Sequence, residues 1–178
     1  MKQNFFALAV TVFLSSFIIP SKKNDLNSVH SYFEYSFAAT SSDGTSDINL
    51  EKLSAVYQIP KSKTETPVLN ISGPKSAVRL KTGISQFLAH HVDDGTATLT
   101  DGIGLYKLKT DKKNRALTLD ATGIISTTKV ILTFAQIDAQ TIKILISNSN
   151  LSPGEYAFVE KNMIAANSTL TVWCFGID

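Results

Sequence analysis

Short apolar runs, each closed by a turn residue, constrain this chain more strongly than any other feature of its sequence. The runs are rich in Val, Ile, Thr and aromatic residues, which favour strands, and Gly, Pro, Asn and Asp separate them. No segment carries apolar residues at sustained helical spacing with capping residues at its ends. The pattern predicts an all-β chain, an immunoglobulin-like β-sandwich of about 8–9 short strands preceded by an N-terminal signal helix.

The stretch at residues 151–159 predicts how two sheets are connected. Pro153 restricts φ and Gly154 permits a positive φ, so the pair favours a tight turn. Tyr156 follows at the start of a strand-forming segment, as in the tyrosine corner of immunoglobulin-like sandwiches, where the phenol hydroxyl bonds to a backbone group a few residues upstream. We therefore expect Pro153, Gly154 and Tyr156 to form a structural corner. An ordinary hairpin turn with a half-buried Tyr is the alternative.

The N-terminal residues have the pattern of a secretion signal. Lys2 precedes a nearly unbroken apolar run at residues 5–19, and no Cys stands at its end, which excludes a lipoprotein signal. We interpret residues 1–21 as a signal peptide, although no Ala-x-Ala motif marks the cleavage site. An uncleaved membrane anchor flanked by Lys22 and Lys23 is the alternative. The expected location is the periplasm, the cell surface or the extracellular space, with membrane contact only through an uncleaved leader.

The rest of the chain divides into a flexible segment at residues 22–47 and a β-sandwich domain at residues 48–178. Residues 38–47 are small and polar without periodicity, which is typical of a linker, whereas the aromatic cluster at residues 32–37 is compatible with an added edge strand. Cys174 is the single cysteine, which excludes an intramolecular disulfide. Its apolar neighbours predict a buried thiol, and a thiol that pairs between molecules or reacts is the alternative.

The candidate catalytic and metal-binding residues do not form a persuasive site. His90 and His91 are neighbours in a predicted strand and point to opposite faces, which hinders both from binding one metal. Asp93, Asp94 and Asp101 lie beside glycines, where turn formation explains them better than a calcium loop does. Nucleophile-elbow and phosphate-binding glycine motifs do not occur. We therefore predict no enzyme activity, no catalytic residue, no metal and no cofactor.

Basic residues cluster locally although the net charge is only +2. A charge this small argues against nucleic acid as a partner. Five cations surround one predicted hairpin: Lys107, Lys109, Lys112, Lys113 and Arg115. Of these, Lys112, Lys113 and Arg115 are the candidate contacts with an anionic glycan, a lipid headgroup or a protein partner. Charges that keep an edge strand soluble are the alternative.

The leader, the motif Leu-x-Pro-Gly-Glu-Tyr-Ala-Phe at residues 151–158 and the segment from Cys174 to Asp178 together resemble uncharacterised exported bacterial β-domain proteins. The resemblance covers chiefly the C-terminal end of the chain, and its motif is structural. It implies an exported β-domain. Such families carry no assigned reaction, so the resemblance transfers no activity to this chain.

The sequence therefore predicts an exported binding or accessory module for an unidentified protein or glycan partner. Its contacts would come from loops at strand ends and from exposed edges, the usual functional positions on such a scaffold. Two other functions stay open. One is a small envelope hydrolase or glycan-modifying enzyme that uses the loop carboxylates of Asp93, Asp94 and Asp101 with one His. The other is a structural component of an envelope assembly that adds strands edge to edge.

Overall fold

The computed structural model describes residues 34–41, 46–62, 65–92, 102–120, 123–146, 151–160 and 169–178. The elements in these ranges are strands, so the prediction of an all-β chain is confirmed. The predicted signal peptide at residues 1–21 lies outside the described residues. The described ranges contain no helix with the length and apolar character needed to cross a membrane.

Fourteen strands occur in the described ranges. In chain order they are β1 (Glu34–Thr40), β2 (Asp47–Asn49), β3 (Glu51–Gln58), β4 (Val68–Ser72), β5 (Arg79–Leu80), β6 (Gln86–Val92), β7 (Ile103–Lys107), β8 (Lys109–Thr110), β9 (Asn114–Thr118), β10 (Lys129–Val130), β11 (Leu132–Gln136), β12 (Thr141–Ile146), β13 (Gly154–Glu160) and β14 (Thr169–Ile177). This number exceeds the predicted 8–9 strands, partly because three continuous runs of chain each form two strands that pair with different neighbours. The changes of neighbour occur at Leu50, Leu108 and Ile131.

The strands form two sheets. The smaller sheet has the order β11-β12-β6-β1-β2, and the larger has the order β10-β7-β13-β14-β3-β4-β9-β8. All of these pairings are antiparallel, whereas β5 adds to β14 in parallel. The chain passes from one sheet to the other at Leu50, between β2 and β3, and again at Ile131, between β10 and β11.

The larger sheet closes on itself. β7 pairs with β13 near one end of the sheet order, and β8 pairs with β9 at the other end. Because only Leu108 separates β7 from β8, these two ends are one continuous run of chain. The Leu108 N–H donates to the Glu155 carbonyl (2.8 Å). This hydrogen bond ties the junction of β7 and β8 to β13. We refer to β7/β8, β13, β14, β3, β4 and β9 as the strand ring.

Side chains alternate between the inside and the outside of the strand ring, as strand geometry requires. The inside is filled by a buried cluster, the ring core, which consists of Ala55, Leu69, Ile71, Tyr106, Leu108, Leu117, Leu119, Ala157, Val159, Leu170, Val172 and Cys174. Outward residues of β7, β13 and β14 pack with residues of β1, β6 and β12 in a second cluster, the intersheet core. These three ring strands are therefore buried on both faces.

Aromatic rings dominate the intersheet core. Phe37 of β1 stacks on Phe158 of β13, with ring centroids 4.7 Å apart, and its centroid also lies 4.7 Å from that of Trp173. Phe87 of β6 meets Phe158 edge-on at 5.2 Å. Each such pair contributes about 0.5–1.5 kcal/mol beyond the burial of apolar area. Rings from both sheets thus stabilise the contact between them.

β1 corrects the predicted domain boundary. The prediction of a flexible segment over residues 22–47 is wrong for residues 34–40, because they form a strand that pairs with β6. Phe37, Ala38 and Ala39 are buried, so this strand contributes to the core. The folded domain therefore includes residues well before 48. Residues 42–45, in the predicted linker, lie outside the described part of the chain.

The turn that leads into β13 is tied to the strand by one hydrogen bond. Gly154 has φ of 148°, a backbone conformation that side chains other than hydrogen disfavour. The Tyr156 hydroxyl donates to the Ser152 carbonyl (2.8 Å), four residues earlier in the chain. The Tyr156 ring is buried and stacks on Phe175, with centroids 5.5 Å apart. The phenol thus joins the turn containing Pro153 to the intersheet core.

Candidate functional site

A groove lies on the outside of the strand ring, where β7/β8 meets the chain that returns from β9. Lys107, Leu108 and Lys109 form one wall, and Thr118 with residues 126–128 forms the other. The cavity has a volume of about 440 Å³, within the range of sites that hold small molecules. We call this cavity the lysine groove.

Strand alternation directs the two lysines outward. Tyr106 and Leu108 belong to the ring core, so Lys107 and Lys109 face the opposite side. Lys107 Nζ donates to Ser152 Oγ (2.7 Å) and lies 5.9 Å from the centroid of the Tyr156 ring. Its ammonium is therefore held in a defined position, whereas Lys109 is exposed.

Hydrogen bonds hold the opposite wall in place. Thr127 Oγ1 accepts from the Thr118 N–H (2.8 Å). The N–H and the hydroxyl of Ser126 both donate to the Thr118 carbonyl, at 2.9 Å and 3.2 Å. The Lys107 N–H donates to the Thr128 carbonyl (3.3 Å), which connects the two walls. The groove is thus formed by the fold itself, which lowers the entropy cost of binding a ligand there.

The groove lining offers hydrogen-bond donors, acceptors and positive charge to a ligand. Lysine ammonium groups donate hydrogen bonds and carry positive charge, and Ser and Thr hydroxyls both donate and accept. Among the residues that the structure describes, those that line the groove include no carboxylate and no histidine. A hydroxyl without an adjacent base is a weak nucleophile. The arrangement therefore fits an anionic ligand that also carries hydroxyl groups.

Lys112 and Lys113, two of the three predicted anion contacts, are exposed at the turn between β8 and β9. Asp111 shapes this turn, because its Oδ1 accepts from the backbone N–H groups of Lys113 (2.6 Å) and Asn114 (2.7 Å). These two hydrogen bonds lower the pKa of Asp111. Neither lysine lines the lysine groove, so the turn carries a separate group of charges.

Arg115, the third predicted contact, lies inside the strand ring. It is only 1% exposed, so the prediction that it contacts an anionic partner is wrong. Its Nε donates to the Gly73 carbonyl and its Nη2 to the Ser72 carbonyl, both at 3.1 Å. Alternation along β9 explains the placement, because Arg115 shares the buried face with Leu117 and Leu119.

Two carboxylates accompany Arg115 inside the ring. Arg115 Nη1 lies 3.5 Å from Glu51 Oε2 and 3.8 Å from Glu155 Oε2, without a hydrogen bond to any described residue. Ser76 joins the two carboxylates: its N–H donates to Glu155 Oε2 (2.8 Å) and its hydroxyl to Glu51 Oε2 (2.5 Å). We call Arg115, Glu51, Glu155 and the residues that bind them the ionic cluster.

Arg79 extends the ionic cluster to the end of β14. Its guanidinium forms ion pairs with both Glu155 and Asp178. The hydrogen bonds with Asp178 raise the pKa of Arg79, and the same contact lowers the pKa of Asp178. Gly176 permits this approach, because a Cβ at that position would overlap the Arg79 guanidinium. The cluster thus connects β3, β5, β9, β13 and the residue after β14, which indicates a structural role.

Cys174 is not available for chemistry. It is fully buried in the ring core, as its apolar neighbours predicted. Burial raises the pKa of its thiol to about 12. The thiolate, which is the reactive form, is therefore scarce at neutral pH.

The other candidate catalytic and metal-binding residues do not come together within the described residues. His90 is exposed, and its Nδ1 lies 3.1 Å from the Thr141 hydroxyl. Across the described ranges, no three His, Cys, Asp or Glu residues converge in a way that could hold a metal ion. The other candidates lie outside the residues or side chains that the structure describes: the side chain of His91, and Asp93, Asp94 and Asp101.

Sequence reasoning placed Lys107 and Lys109 in the basic cluster but selected Lys112, Lys113 and Arg115 as contacts, and it missed the hydroxyl wall of the groove. Ser126, Thr127 and Thr128 are consecutive in the sequence, which is the only local signal for this wall. Their position beside Lys107 depends on the pairing of β10 with β7. Comparison of the chain with protein-family models, curated proteins and solved structures finds no match.

Proposed function

We propose that this chain is an exported, non-enzymatic binding module whose lysine groove takes an anionic glycan. One observation carries the proposal: Lys107 and Lys109 stand opposite a wall of hydroxyl residues in a cavity of about 440 Å³. Sulfate or carboxylate groups of a polysaccharide accept charge-assisted hydrogen bonds from ammonium groups. Sugar hydroxyls exchange hydrogen bonds with Ser and Thr.

The small net charge supports recognition by this groove rather than by a general electrostatic field. A net charge of +2 does not attract polyanions strongly at a distance, so nucleic acid is not the expected partner. Selectivity then comes from the two lysines and the hydroxyls that face them. Lys112 and Lys113 contribute only nearby charge, because they lie outside the groove lining.

The proposed scaffold is a β-sandwich with an immunoglobulin-like tyrosine corner at Pro153, Gly154 and Tyr156. Tyr156 and Ser152 contact each other, and both contact Lys107, so the corner also positions one groove cation. The apolar leader at residues 1–21 supports export to the periplasm, the cell surface or the extracellular space. Sites built on strands are held more precisely than sites on loops, which supports a preformed groove beside β7 and β8.

Retention on immobilised heparin, with a column of uncharged dextran as reference, tests the proposal. The protein should bind heparin and not dextran. The double variant Lys107→Gln/Lys109→Gln should bind about tenfold more weakly or worse, because charge-assisted hydrogen bonds contribute about 1.5 kcal/mol or more. Lys109→Gln alone should show part of this loss without disturbing the Lys107 contact with Ser152.

The matched control is Lys112→Gln/Lys113→Gln, which removes the same two charges from the neighbouring turn. It should retain most of the affinity. An equal loss in the two double variants would show that only charge density matters and would refute the groove. Absence of heparin binding by the unmodified protein would refute the proposal altogether.

A further inference from the structure

No described strand pairs with the outer edge of β11. β11 is the terminal strand of the smaller sheet and contacts only β12 within it. The other end of this sheet, β2, has three residues including a charged one, Asp47. Proteins commonly protect sheet edges with short strands, charged residues or Pro. β2 follows that rule and β11 does not.

β11 itself lacks the residue types that usually protect a sheet edge. Residues 130–137 contain no charged residue, no Pro and no Gly. Ile131 and Ile137, on either side of the strand, are 67% and 54% exposed. Both have odd numbers and therefore lie on the face opposite to Leu132 and Phe134, which pack against the intersheet core. Two large apolar side chains thus remain in solvent beside an open edge.

The pairing with β12 determines which backbone groups of β11 point outward. The Ile137 N–H donates to the Thr141 carbonyl (2.9 Å), so Ile137 belongs to a hydrogen-bonded pair in this hairpin. Such pairs alternate along antiparallel strands, which directs the N–H and C=O groups of Leu132, Phe134 and Gln136 to the open side. These outward N–H and C=O groups are positioned to form antiparallel hydrogen bonds with a further strand.

We propose that β11 pairs antiparallel with β11 of a second copy of this chain, around a two-fold axis at Phe134. In this register Phe134 faces Phe134 of the second copy, and Leu132 faces Gln136, so each outward backbone group finds a partner. The same register sets Ile131 of one copy directly opposite Ile137 of the other. The two exposed isoleucines thereby cover each other at both ends of the new strand pair.

Charge favours the same arrangement. Lys129 precedes β11 and Asp138 follows it, and both side chains are exposed. Antiparallel pairing brings the cationic end of one strand toward the anionic end of the other, whereas parallel pairing would place like charges together. A two-fold interface uses the same patch on both copies, which is the commonest symmetry among protein dimers. The product is one continuous sheet made of the two smaller sheets.

Sedimentation equilibrium over a range of protein concentrations tests the dimer. The unmodified protein should sediment with twice the mass of one chain at high concentration. Ile131→Lys/Ile137→Lys should sediment as a monomer, because it places ammonium groups opposite each other across the axis. Ile124→Lys is the control for adding a lysine at an exposed isoleucine, since Ile124 is 64% exposed and precedes Ile125, which pairs with Leu119 of the ring core, and it should remain a dimer.

Oxidation of Ile131→Cys/Ile137→Cys tests the register. The two positions are about 20 Å apart along one strand, too far for a disulfide within one copy. Non-reducing electrophoresis should therefore show a cross-linked dimer, and Ile131→Cys alone should not give one, because its register partner stays Ile. A monomeric unmodified protein, or a dimer that survives Ile131→Lys/Ile137→Lys, would overturn the proposal. Both results are independent of heparin binding.

Discussion

The run of chain from β7 to β9 places positive charge on both sides of the strand ring, and the two sides use it differently. Outside, Lys107 and Lys109 line a groove open to a ligand. Inside, Arg115 is 1% exposed and is surrounded by two backbone carbonyls and the carboxylates of Glu51 and Glu155. The cations are near one another in sequence, yet only the outer ones remain available for binding.

The difference follows from what a buried charge needs. An ion inside a protein loses its hydration, so it is tolerated only with opposite charge and hydrogen-bond acceptors around it. The guanidinium of Arg115 offers several donors in a fixed plane, which suits this surrounding better than a lysine would. An exposed lysine on the outer face, such as Lys109, keeps its hydration and would exchange it only on binding the proposed ligand. Burial therefore separates the structural cation Arg115 from the lysines that we propose to bind a ligand in this hairpin.

Replacing Arg115 with Met should have the largest effect. The change leaves Glu51 and Glu155 without their buried cation, and such losses cost about 3–5 kcal/mol of the free energy of unfolding. Urea denaturation followed by circular dichroism measures it. Lys113→Met, two positions earlier and exposed, is the control and should stay within about 0.5 kcal/mol. Equal stability of the two variants would contradict a structural role for Arg115.

The buried thiol of Cys174 should make the free energy of unfolding fall at alkaline pH. The folded thiol has a pKa of about 12, against an ordinary value of 9.0, so the unfolded chain loses this proton first as pH rises. Its contribution is therefore constant below pH 9 and falls between pH 9 and about 12. By pH 10 the stability difference between the unmodified protein and Cys174→Ala should have changed by about 1.4 kcal/mol. Parallel stability curves from pH 7 to 10 would contradict the burial of the thiol.

Tyr156→Phe should have the smallest of these effects on stability. Unlike Arg115 and Cys174, Tyr156 lies on the outer face of the strand ring. It removes the hydrogen bond to the Ser152 carbonyl, which contributes about 1 kcal/mol to stability. Thermal unfolding measures this loss, with Tyr57→Phe on β3 as the control for removal of a phenol hydroxyl. Heparin binding at a temperature where both variants are folded should be nearly unchanged, because the Lys107 ammonium keeps its bond to Ser152 Oγ. An unchanged melting temperature would show that the corner does not stabilise the domain.

The all-β class was predictable because strand formation depends on the local pattern of apolar and turn residues. Alternation along Ile103 to Leu108 and the Pro153-Gly154 turn are visible in the sequence, and both lie where strands occur. The closure of the larger sheet was not predictable, because it depends on a change of partner at Leu108 that leaves no local signal. β1 was missed as a core strand because its small residues, Ala38 and Ala39, also occur in linkers.

The candidate site was predictable only in part. The sequence shows the basic residues, and the repeat Arg115-x-Leu117-x-Leu119 already indicates that Arg115 shares the face of two leucines. What it does not show is the acids that make this burial tolerable. Glu51 and Glu155 come from distant parts of the chain and meet Arg115 only through the pairing of β3 and β13 with β14.

The pairing of β3 with β14 also determines when the strand ring can form. β3 spans Glu51–Gln58 and its neighbour in the ring spans Thr169–Ile177, so the earlier strand must wait until β14 has been synthesised. Contacts between such distant segments form slowly, because a long loop has to close first. The strand ring therefore cannot close during synthesis before β14 is available to pair with β3. If the chain is exported as proposed, this order of events would leave the strand ring open, and the polypeptide easier to translocate, until β14 has been made.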